Sequence, residues 1–195
     1  MHILVVMAHP AGPSLTRSVA SSFLDAGAAL GHTVELVDLV AEGFDPVFGP
    51  ADHAAFTAAG PTSPDVRREQ QRIDRADHLI LVYPVYWWSF PGQLKGWIDR
   101  VWVRGVAYEL PDGANRIRPL LRNIRRIVVV TSHGSGKGLN MLQGEGGKRI
   151  ASRSLRVLCH PLARFTWLAL YGVDHVDGRR RIAFLDRVER RIRRL

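Results

Sequence analysis

Several residue types are scarce in the sequence, and each scarcity excludes a class of protein. Among 195 residues there is one cysteine, Cys159, so an intrachain disulfide and a multi-cysteine metal site are both excluded. No apolar run approaches the roughly 20 residues that a membrane-spanning helix needs. Charged residues make up 23% and apolar residues 46%, which excludes collagen-like and long disordered chains. We therefore expect one domain over residues 1–195, cytoplasmic and without an integral membrane span.

Lysine is also scarce, so the positive charge of the chain is almost entirely guanidinium. The net charge of +9 arises from 24 arginines and 3 lysines against 18 acidic residues. Such a charge indicates anionic partners: phosphates, nucleic acid or a membrane surface. Eight of the arginines lie within residues 179–195, where apolar residues recur at helical spacing, namely Ile182, Leu185, Val188, Ile192 and Leu195. This spacing is typical of a packed final helix with a solvated basic face, so no nucleic-acid binding is expected.

Short apolar runs alternate with helical patterns along the chain. Strands are predicted over residues 3–8, 33–39, 78–83, 126–131 and 165–171. Helices are predicted over 14–30, 63–76, 93–103, 145–158 and from about 179, with a loop and a weak helix over 41–62. The alternation predicts an α/β fold, a doubly wound parallel sheet with helices on both faces. The flavodoxin-like strand order 2-1-3-4-5 is the leading candidate.

The loops after the first, third and fourth strands are expected to meet, because ligands bind outside the carboxyl ends of parallel strands. The first loop, residues 8–17, enters a helix through glycine and proline, and the N–H groups of a helix start attract phosphate. Ser14 and Thr16 add hydroxyls and Arg17 adds a charge, but the three-glycine dinucleotide fingerprint is absent. A plain capped helix, with Ser14 as its cap, is the alternative interpretation.

The other two loops favour a flat, polar-edged ligand. Residues 83–92 are rich in aromatic side chains, which would form flat walls for a ligand or else a hydrophobic plug or partner interface. Residues 131–136 are small and hydroxyl-rich, so backbone donors can approach a ligand closely. Within them His133 is a hydrogen-bond donor, a general base or an exposed loop residue. Phosphate, flat ring and polar edge together indicate a flavin nucleotide, which would supply the hydride chemistry.

Several stretches carry a family resemblance: Ala8-His9-Pro10 with Ser14, and residues 65–77, 84–101, 105–108 and 142–144. They resemble NAD(P)H:quinone oxidoreductases of the DT-diaphorase type, in the flavodoxin-like superfamily, and the ancillary flavoproteins of potassium efflux systems. The resemblance implies a homodimer that binds FAD or FMN non-covalently. With NAD(P)H as co-substrate it would reduce quinones or similar flat electrophiles by a ping-pong, two-electron hydride transfer. The alternative is a regulatory or electron-transfer flavoprotein subunit that acts on a partner such as a membrane transporter.

The resemblance also implies roles for particular positions. The flavin phosphate part would be held by His9, Ser14, Leu15, Thr16 and Arg17. The ring would lie along Pro84, Val85, Tyr86, Trp87 and Trp88, and its pyrimidine edge would face Thr131, Ser132, His133 and Gly134. Tyr108 would line the substrate pocket from the other subunit. Tyr108 and His133 are the candidate catalytic residues, and no metal is expected.

The chain departs from the family pattern at two places. The third loop of the family usually reads Thr-Thr-Gly-Gly, whereas this chain has a histidine in the third position, His133. In many members a tyrosine and a histidine further on stabilise the reduced flavin, and Asn140 and Gly146 stand at the aligned positions here. Either His133 or Lys137 takes over part of that task, or backbone N–H groups suffice and His133 points to solvent.

Overall fold

The computed structural model describes residues 1–10, 12–58, 62–111, 113 and 115–195. Its strands are β1 (His2–Met7), β2 (Thr33–Asp38), β3 (His78–Pro84), β4 (Tyr108–Glu109), β5 (Arg118–Pro119), β6 (Arg126–His133) and β7 (Arg164–Tyr171). Its helices are α1 (Leu15–Ala29), α2 (Pro50–Ala58), α3 (Pro64–Arg75), α4 (Gly92–Val101), α5 (Lys137–Leu142), α6 (Gly146–Arg149) and α7 (Gly178–Ile192). Residue 11 of the first loop and residues 59–61 of the expected 41–62 loop lie outside the described residues.

Five parallel strands form the central sheet in the order β2-β1-β3-β6-β7, which confirms the predicted flavodoxin-like arrangement. The short strands β4 and β5 pair separately as an antiparallel ribbon. The three central strands are almost fully buried, as expected for parallel strands that are covered on both faces. Among the described residues, no helix combines the length and apolar character needed to cross a bilayer.

Successive residues of each central strand point into two different cores. On one face, Ile3 and Val5 pack with Phe23 of α1 and Phe184 of α7. On the other face, strand residues such as Leu4 join Trp97 of α4 and the apolar side of α3. Cys159 is buried, and its side chain lies in this second core. The two cores therefore fix the helices on both faces of the sheet. The carboxyl and amino ends of the strands are left uncovered by these helices.

The structure corrects several boundaries predicted from the sequence. Strand β6 continues past residue 131 because it pairs with β7 as far as His133 opposite Tyr171. The helix predicted over 145–158 is divided into α6, a π-helical segment (Ile150–Leu155) and a 3₁₀ turn (Arg156–Leu158), and α5 precedes it without having been predicted. In α7 the buried face is Phe184, Val188 and Ile192, whereas Ile182 is exposed, so the predicted apolar stripe was wrong at its first position.

Arg100 ties the connection between β2 and α3 to α4. Its guanidinium forms ion pairs with Asp52 at 3.0 Å and Asp65 at 3.1 Å, donates to the carbonyl of Asp45, and is buried. Ser63 stands at the N-cap position of α3, but it makes no side-chain cap bond and its hydroxyl instead accepts from Arg100 at 3.1 Å. The Arg100 guanidinium thus holds together four residues, between the end of β2 and the first turn of α3, that are distant from it in the sequence.

We expect Arg100→Met to lower the free energy of unfolding by about 3 kcal/mol, because it leaves partly buried carboxylates without their cation. Urea unfolding at neutral pH measures this. The control, Lys95→Met on the same helix, removes an exposed pair with Asp99 and is expected to cost less than about 0.5 kcal/mol. Equal losses in the two variants would contradict the role of Arg100.

The same variant has an expected pH signature. Burial alone would raise the pKa of Asp65, but bonds from Ser63 and from the Val66 N–H, with the charge of Arg100, lower it below its usual 3.8. A lowered carboxyl pKa contributes stability that is fully present above the unfolded value and is lost as the pH falls through the folded value. The difference in stability between the wild type and Arg100→Met therefore shrinks below about pH 4.

Candidate functional site

Two adjacent cavities open at the carboxyl ends of β1, β3 and β6. The larger, about 380 Å³, is lined by residues from all three loops, from the segment before α7 and from the first turn of α7: His9, Leu15, Thr16, Pro84, Val85, Tyr86, Ser132, Gly134, Val173, Asp174 and Arg181. The smaller, about 220 Å³, is lined by Val85, Trp87, Trp88, His133, Gly134, Ser135 and Asn140. Since Val85 and Gly134 belong to both, the two cavities form one continuous cleft, which brings together most of the residues singled out in the sequence.

The start of α1 forms one end of the cleft. Ser14 caps the helix, its hydroxyl accepting the N–H of Arg17 at 3.2 Å, and Thr16 is buried beside the cavity. The guanidinium of Arg17 instead donates to Asp38 at 2.8 Å, at the end of β2, and Arg17 does not line either cavity. The N–H groups of the first helical turn, with the Thr16 hydroxyl, are thus the groups at this end that suit an anion.

A tight turn presents the two tryptophans to the cleft. Ser89 donates its N–H to the carbonyl of Tyr86, and the two residues between them, Trp87 and Trp88, both have left-handed backbone angles, with φ of 48° and 57°. Residues other than glycine, asparagine and aspartate rarely adopt this backbone conformation, which costs on the order of 1 kcal/mol per residue. The indole of Trp87 is 89% exposed, so burial within the chain does not offset that cost. Strain of this kind concentrates at binding sites.

One side of the cleft, formed by the segment that leads into α7 and by the first turn of α7, is not indicated by any pattern in the sequence. Arg181 and Asp174 line the larger cavity opposite the start of α1, and Arg181 also donates to the carbonyl of Val173 at 3.3 Å. No local signal distinguishes Arg181 from its neighbours, because it lies in a run of three arginines. Its position supplies a positive charge to the same cavity as the helix start.

His133 does not point to solvent, as one of the two interpretations had it. Only 3% of the residue is exposed, because β6 extends through it and its ring packs on that of Tyr171 at a centroid distance of 4.6 Å. Its Nδ1 lies 2.6 Å from the side-chain oxygen of Asn140. Asn140, one of the two departures from the family pattern, therefore acts as a partner of His133.

The hydrogen bonds around Asn140 fix the proton of His133. The Asn140 amide nitrogen faces acceptors only, the carbonyls of Ser135 and Gly136 and the Ser135 hydroxyl, so its oxygen faces the histidine. The proton is therefore on Nδ1. Burial lowers the pKa of His133, outweighing the bond to Asn140 and the charge of Glu145, so the neutral ring dominates near pH 7. Nε2, which is buried and has no partner among the described residues, is then an acceptor and not a donor.

A second layer of polar contacts supports the His133 ring. The Tyr171 hydroxyl donates to Glu145 at 2.5 Å, and Glu145 also pairs with Lys148 at 2.7 Å. Gly146 is the other departure from the family pattern. A Cβ added at this position would lie 3.2 Å from the carbonyl oxygen of Trp88, so a side chain there would crowd the aromatic turn. The segment of residues 145–148 is therefore held close to both the aromatic turn and the histidine.

The remaining candidate residues lie elsewhere in this chain. Tyr108 is in β4, half-buried against the core on the α4 side, and is not among the residues that line the two cavities. Lys137 lines a separate cleft of about 590 Å³ beside β7, with His175 and Arg180, instead of facing His133. Thr131 lines neither cavity. It is buried beside a small void that Leu15, Thr16 and Ser132 also line, and its hydroxyl oxygen has no partner among the described residues.

Comparison with known proteins identifies the family. A family model described as a flavodoxin-like fold matches residues 1–176. The chain belongs to this flavodoxin-like family. Its structure superposes on an NAD(P)H:quinone oxidoreductase from Methanothermobacter marburgensis with a TM-score of 0.83 and 30% identity, covering 99% of this chain and 94% of the other.

Curated relatives of this flavodoxin-like protein include ribosyldihydronicotinamide dehydrogenase [quinone] of Homo sapiens, 31% identical over 90% of this chain and 76% of the relative. An uncharacterized NAD(P)H oxidoreductase of Escherichia coli (strain K12) is 36% identical over 54% of this chain and 55% of the relative. The chain spans about half the length of the first curated relatives that it matches. The resemblance to quinone oxidoreductases noted in the sequence is confirmed.

For this flavodoxin-like protein, nitrogen-detected NMR is expected to show His133 protonated on Nδ1, with a pKa below the usual value of 6.5. Asn140→Leu removes the bond that raises this pKa, so the pKa is expected to fall further. It also leaves buried groups without partners, so we expect a loss of about 1–3 kcal/mol of stability.

The matched control is Asn123→Leu, because Asn123 bonds the carbonyls of Ile73 and Ala76 at 2.8 Å and lies just before the start of β6, whereas His133 is at its end. It is expected to lose comparable stability and to leave the titration of His133 unchanged. A His133 that titrates above its usual value, or whose Nε2 carries the proton in the wild type, would contradict the assignment.

Proposed function

We propose that the protein is an NAD(P)H-dependent flavin oxidoreductase that reduces quinones or similar flat electrophiles by two-electron transfer. The observation that carries the proposal is one continuous cleft that joins a helix start, an exposed aromatic turn and a small polar loop. Several relatives bear the names of NAD(P)H and quinone oxidoreductases, and they support the same activity.

The residues of the cleft fit a flavin. The start of α1, Thr16 and Arg181 offer donors and positive charge for the phosphate part, whether FMN or FAD is bound. Trp87, Trp88 and Val85 offer a flat apolar wall for the ring. His133 lines the smaller cavity, and its Nε2 has no partner among the described residues, so the polar edge of such a ring would satisfy it.

The chain's own residues orient reactants and control protons. When bound, the flavin supplies hydride transfer between NAD(P)H and the acceptor. The exposed Trp87 and Tyr86 leave the cleft open on one side, so that NAD(P)H and a flat acceptor enter in turn. The Nε2 atom of His133 accepts a hydrogen bond and takes a proton only when it becomes charged, since the proton on Nδ1 is committed to Asn140. This role differs from the donor role considered from the sequence.

We expect Trp87→Gly to weaken flavin binding about fivefold, equivalent to about 1 kcal/mol of lost stacking. The stability of the flavin-free protein is expected not to fall, because the side chain is exposed and glycine adopts a positive φ without strain. Flavin titration followed by fluorescence, together with urea unfolding, separates the two effects. HPLC of the released cofactor identifies it as FMN or FAD.

Trp87→Phe is the matched control, because it keeps a flat ring at the same strained position. Its flavin affinity is expected to stay within about twofold of the wild type. Failure of the wild type to bind either FMN or FAD would overturn the proposed function, whereas unchanged affinity in Trp87→Gly would overturn only the contact with the ring.

We further propose a homodimer that completes the cleft. Three exposed apolar side chains lie on elements that contribute residues to the cleft: Trp87 on the aromatic turn, and Met141 and Leu142 on α5. Exposed apolar patches of this kind mark interaction surfaces. Tyr108 lies outside the cleft of its own chain, which agrees with a role in the cleft of a second copy. Two-fold dimers are the commonest oligomers, and they pair identical surfaces of this kind.

Light scattering at micromolar concentration is expected to give the mass of a dimer, and Leu142→Glu is expected to shift it toward the monomer because it buries a charge at the interface. Leu162→Glu serves as the control, since Leu162 is equally exposed but lies at the other end of the sheet, before β7. A fully active wild-type monomer would contradict the dimer. A monomer that purifies with a membrane transporter would favour the alternative of a regulatory flavoprotein.

A further inference from the structure

A second large concavity lies at the amino ends of the strands, at the opposite end of the sheet from the cleft. It encloses about 670 Å³ near the first residues of β6 and β7 and the end of α7. Five arginines line it, together with Ala163, Phe165 and Thr166, and we call it the arginine groove: Arg126, Arg156, Arg164, Arg191 and Arg194. None of its residues lines the two cavities of the candidate active site.

The five guanidinium groups have no anionic partner within the part of the chain that the structure describes. None of them lies within 4.0 Å of a carboxylate. Arg156 donates to the carbonyls of Ser152 and Ala163, and Arg126 donates to the carbonyl of Arg194 at 3.2 Å. A carbonyl at the end of a helix carries only a partial negative charge. The groove therefore concentrates positive charge that the chain does not neutralise.

Arg126 is the anomaly in this cluster. It is 9% exposed, and its Nε is buried without a hydrogen-bond partner among the residues that the structure describes. Arg164 and Arg191 are the charges that act on it, and with burial they lower the pKa of its guanidinium. The adjacent His78, opposite Arg126 on β3, has a pKa of about 4 and is neutral at pH 7. Removal of an unpaired charge from water is costly, so such groups are normally paired.

Arg100 shows how this same chain treats a buried arginine that serves only the fold. Arg100 is 7% exposed, as buried as Arg126, and it forms ion pairs with both Asp52 and Asp65. Its pKa is raised, because the bonds and charges of these carboxylates outweigh burial. The two buried arginines therefore differ: Arg100 is paired with carboxylates, whereas Arg126 has none beside it among the described residues.

We propose that the arginine groove binds the phosphate group of a small molecule that carries at least two negative charges. Guanidinium groups bind phosphate oxygens through paired hydrogen bonds, and several of them around one concavity match a diphosphate or bisphosphate. The half-buried ring of Phe165 and the hydroxyl of Thr166 give the ligand an apolar and a polar contact beside the charges. The volume is that of a typical small-molecule site. The proposal is independent of flavin binding in the cleft.

The groove favours a small phosphate over a nucleic-acid duplex. Arg126 lines the wall of a concavity together with four other guanidinium groups, and a free phosphate group can enter such a concavity. Duplex phosphates are contacted mainly by exposed side chains on a surface that follows the DNA backbone. Arg179 and Arg190 are exposed elsewhere on α7 and do not line the groove, so they provide a test of whether charge alone explains binding.

The test uses flavin-saturated protein, so that the cleft is already occupied, and titrates inorganic pyrophosphate at about 0.15 M KCl by calorimetry. We expect saturable binding that is weakened about tenfold or more in the double variant Arg164→Gln with Arg194→Gln, both of which are exposed. Arg179→Gln with Arg190→Gln removes the same charge outside the groove and is expected to change the dissociation constant less than about twofold. No binding in the wild type, or equal losses in the two double variants, would overturn the proposal.

Arg126→Met tests the buried charge directly. Without phosphate, its melting temperature is expected to equal or exceed that of the wild type, because an uncompensated charge is removed, and pyrophosphate is expected to raise it no further. A pyrophosphate-induced increase equal to that of the wild type would overturn the role of Arg126. A variant that fails to fold leaves the calorimetry of the exposed double variants to decide.

Two further measurements identify the source of the phosphate. Vesicles of phosphatidylcholine with phosphatidic acid are compared with phosphatidylcholine alone. Binding that pyrophosphate displaces and that Arg164→Gln with Arg194→Gln abolishes assigns the phosphate to a lipid headgroup, whereas pyrophosphate binding without vesicle binding assigns it to a soluble ligand. Either result supports the phosphate site. Binding to a DNA duplex that excess pyrophosphate does not displace would overturn it.

Discussion

Burial of a parallel sheet on both faces is the constraint on which the rest of this structure depends. Because residues of each central strand alternate between two cores, helices must cover both faces, and every connection runs from a carboxyl edge back to an amino edge. The loops after β1, β3 and β6 therefore meet, and there they form the cleft. The cleft lies at the carboxyl ends of the strands and the arginine groove at their amino ends, because helices cover both faces.

Each edge places an ionisable group where water is scarce, and the surroundings decide its charge. At the carboxyl edge, His133 is stacked on Tyr171 and held by Asn140, so burial keeps it neutral with one fixed proton. At the amino edge, Arg126 cannot lose its proton near neutral pH and remains charged among other arginines. A buried histidine can lose its charge by releasing a proton. A buried arginine keeps its charge, so it is stabilised by binding an anion.

The sequence predicted those features whose cause is local. The five strands of the central sheet follow from five apolar runs, and the cap at Ser14 follows from residues 14–17 themselves. The burial of His133 was not predictable in this way, because it depends on pairing with Tyr171 on another strand. Arg181 and the arginine groove lie beyond local patterns for the same reason: an arginine-rich helix has one composition, but tertiary packing decides which guanidinium faces the cleft, the groove or solvent.

The cleft and the groove are joined through a single rigid element, because β6 begins at Arg126 and ends at His133. Between these residues the strand is buried and paired on both sides, which holds it in one register. Coupling between distant sites requires an element with two states that both ligands bias. An anion at the amino edge would therefore add to the stability of the folded chain by binding, while the geometry of the cleft at the other end of β6 stays the same.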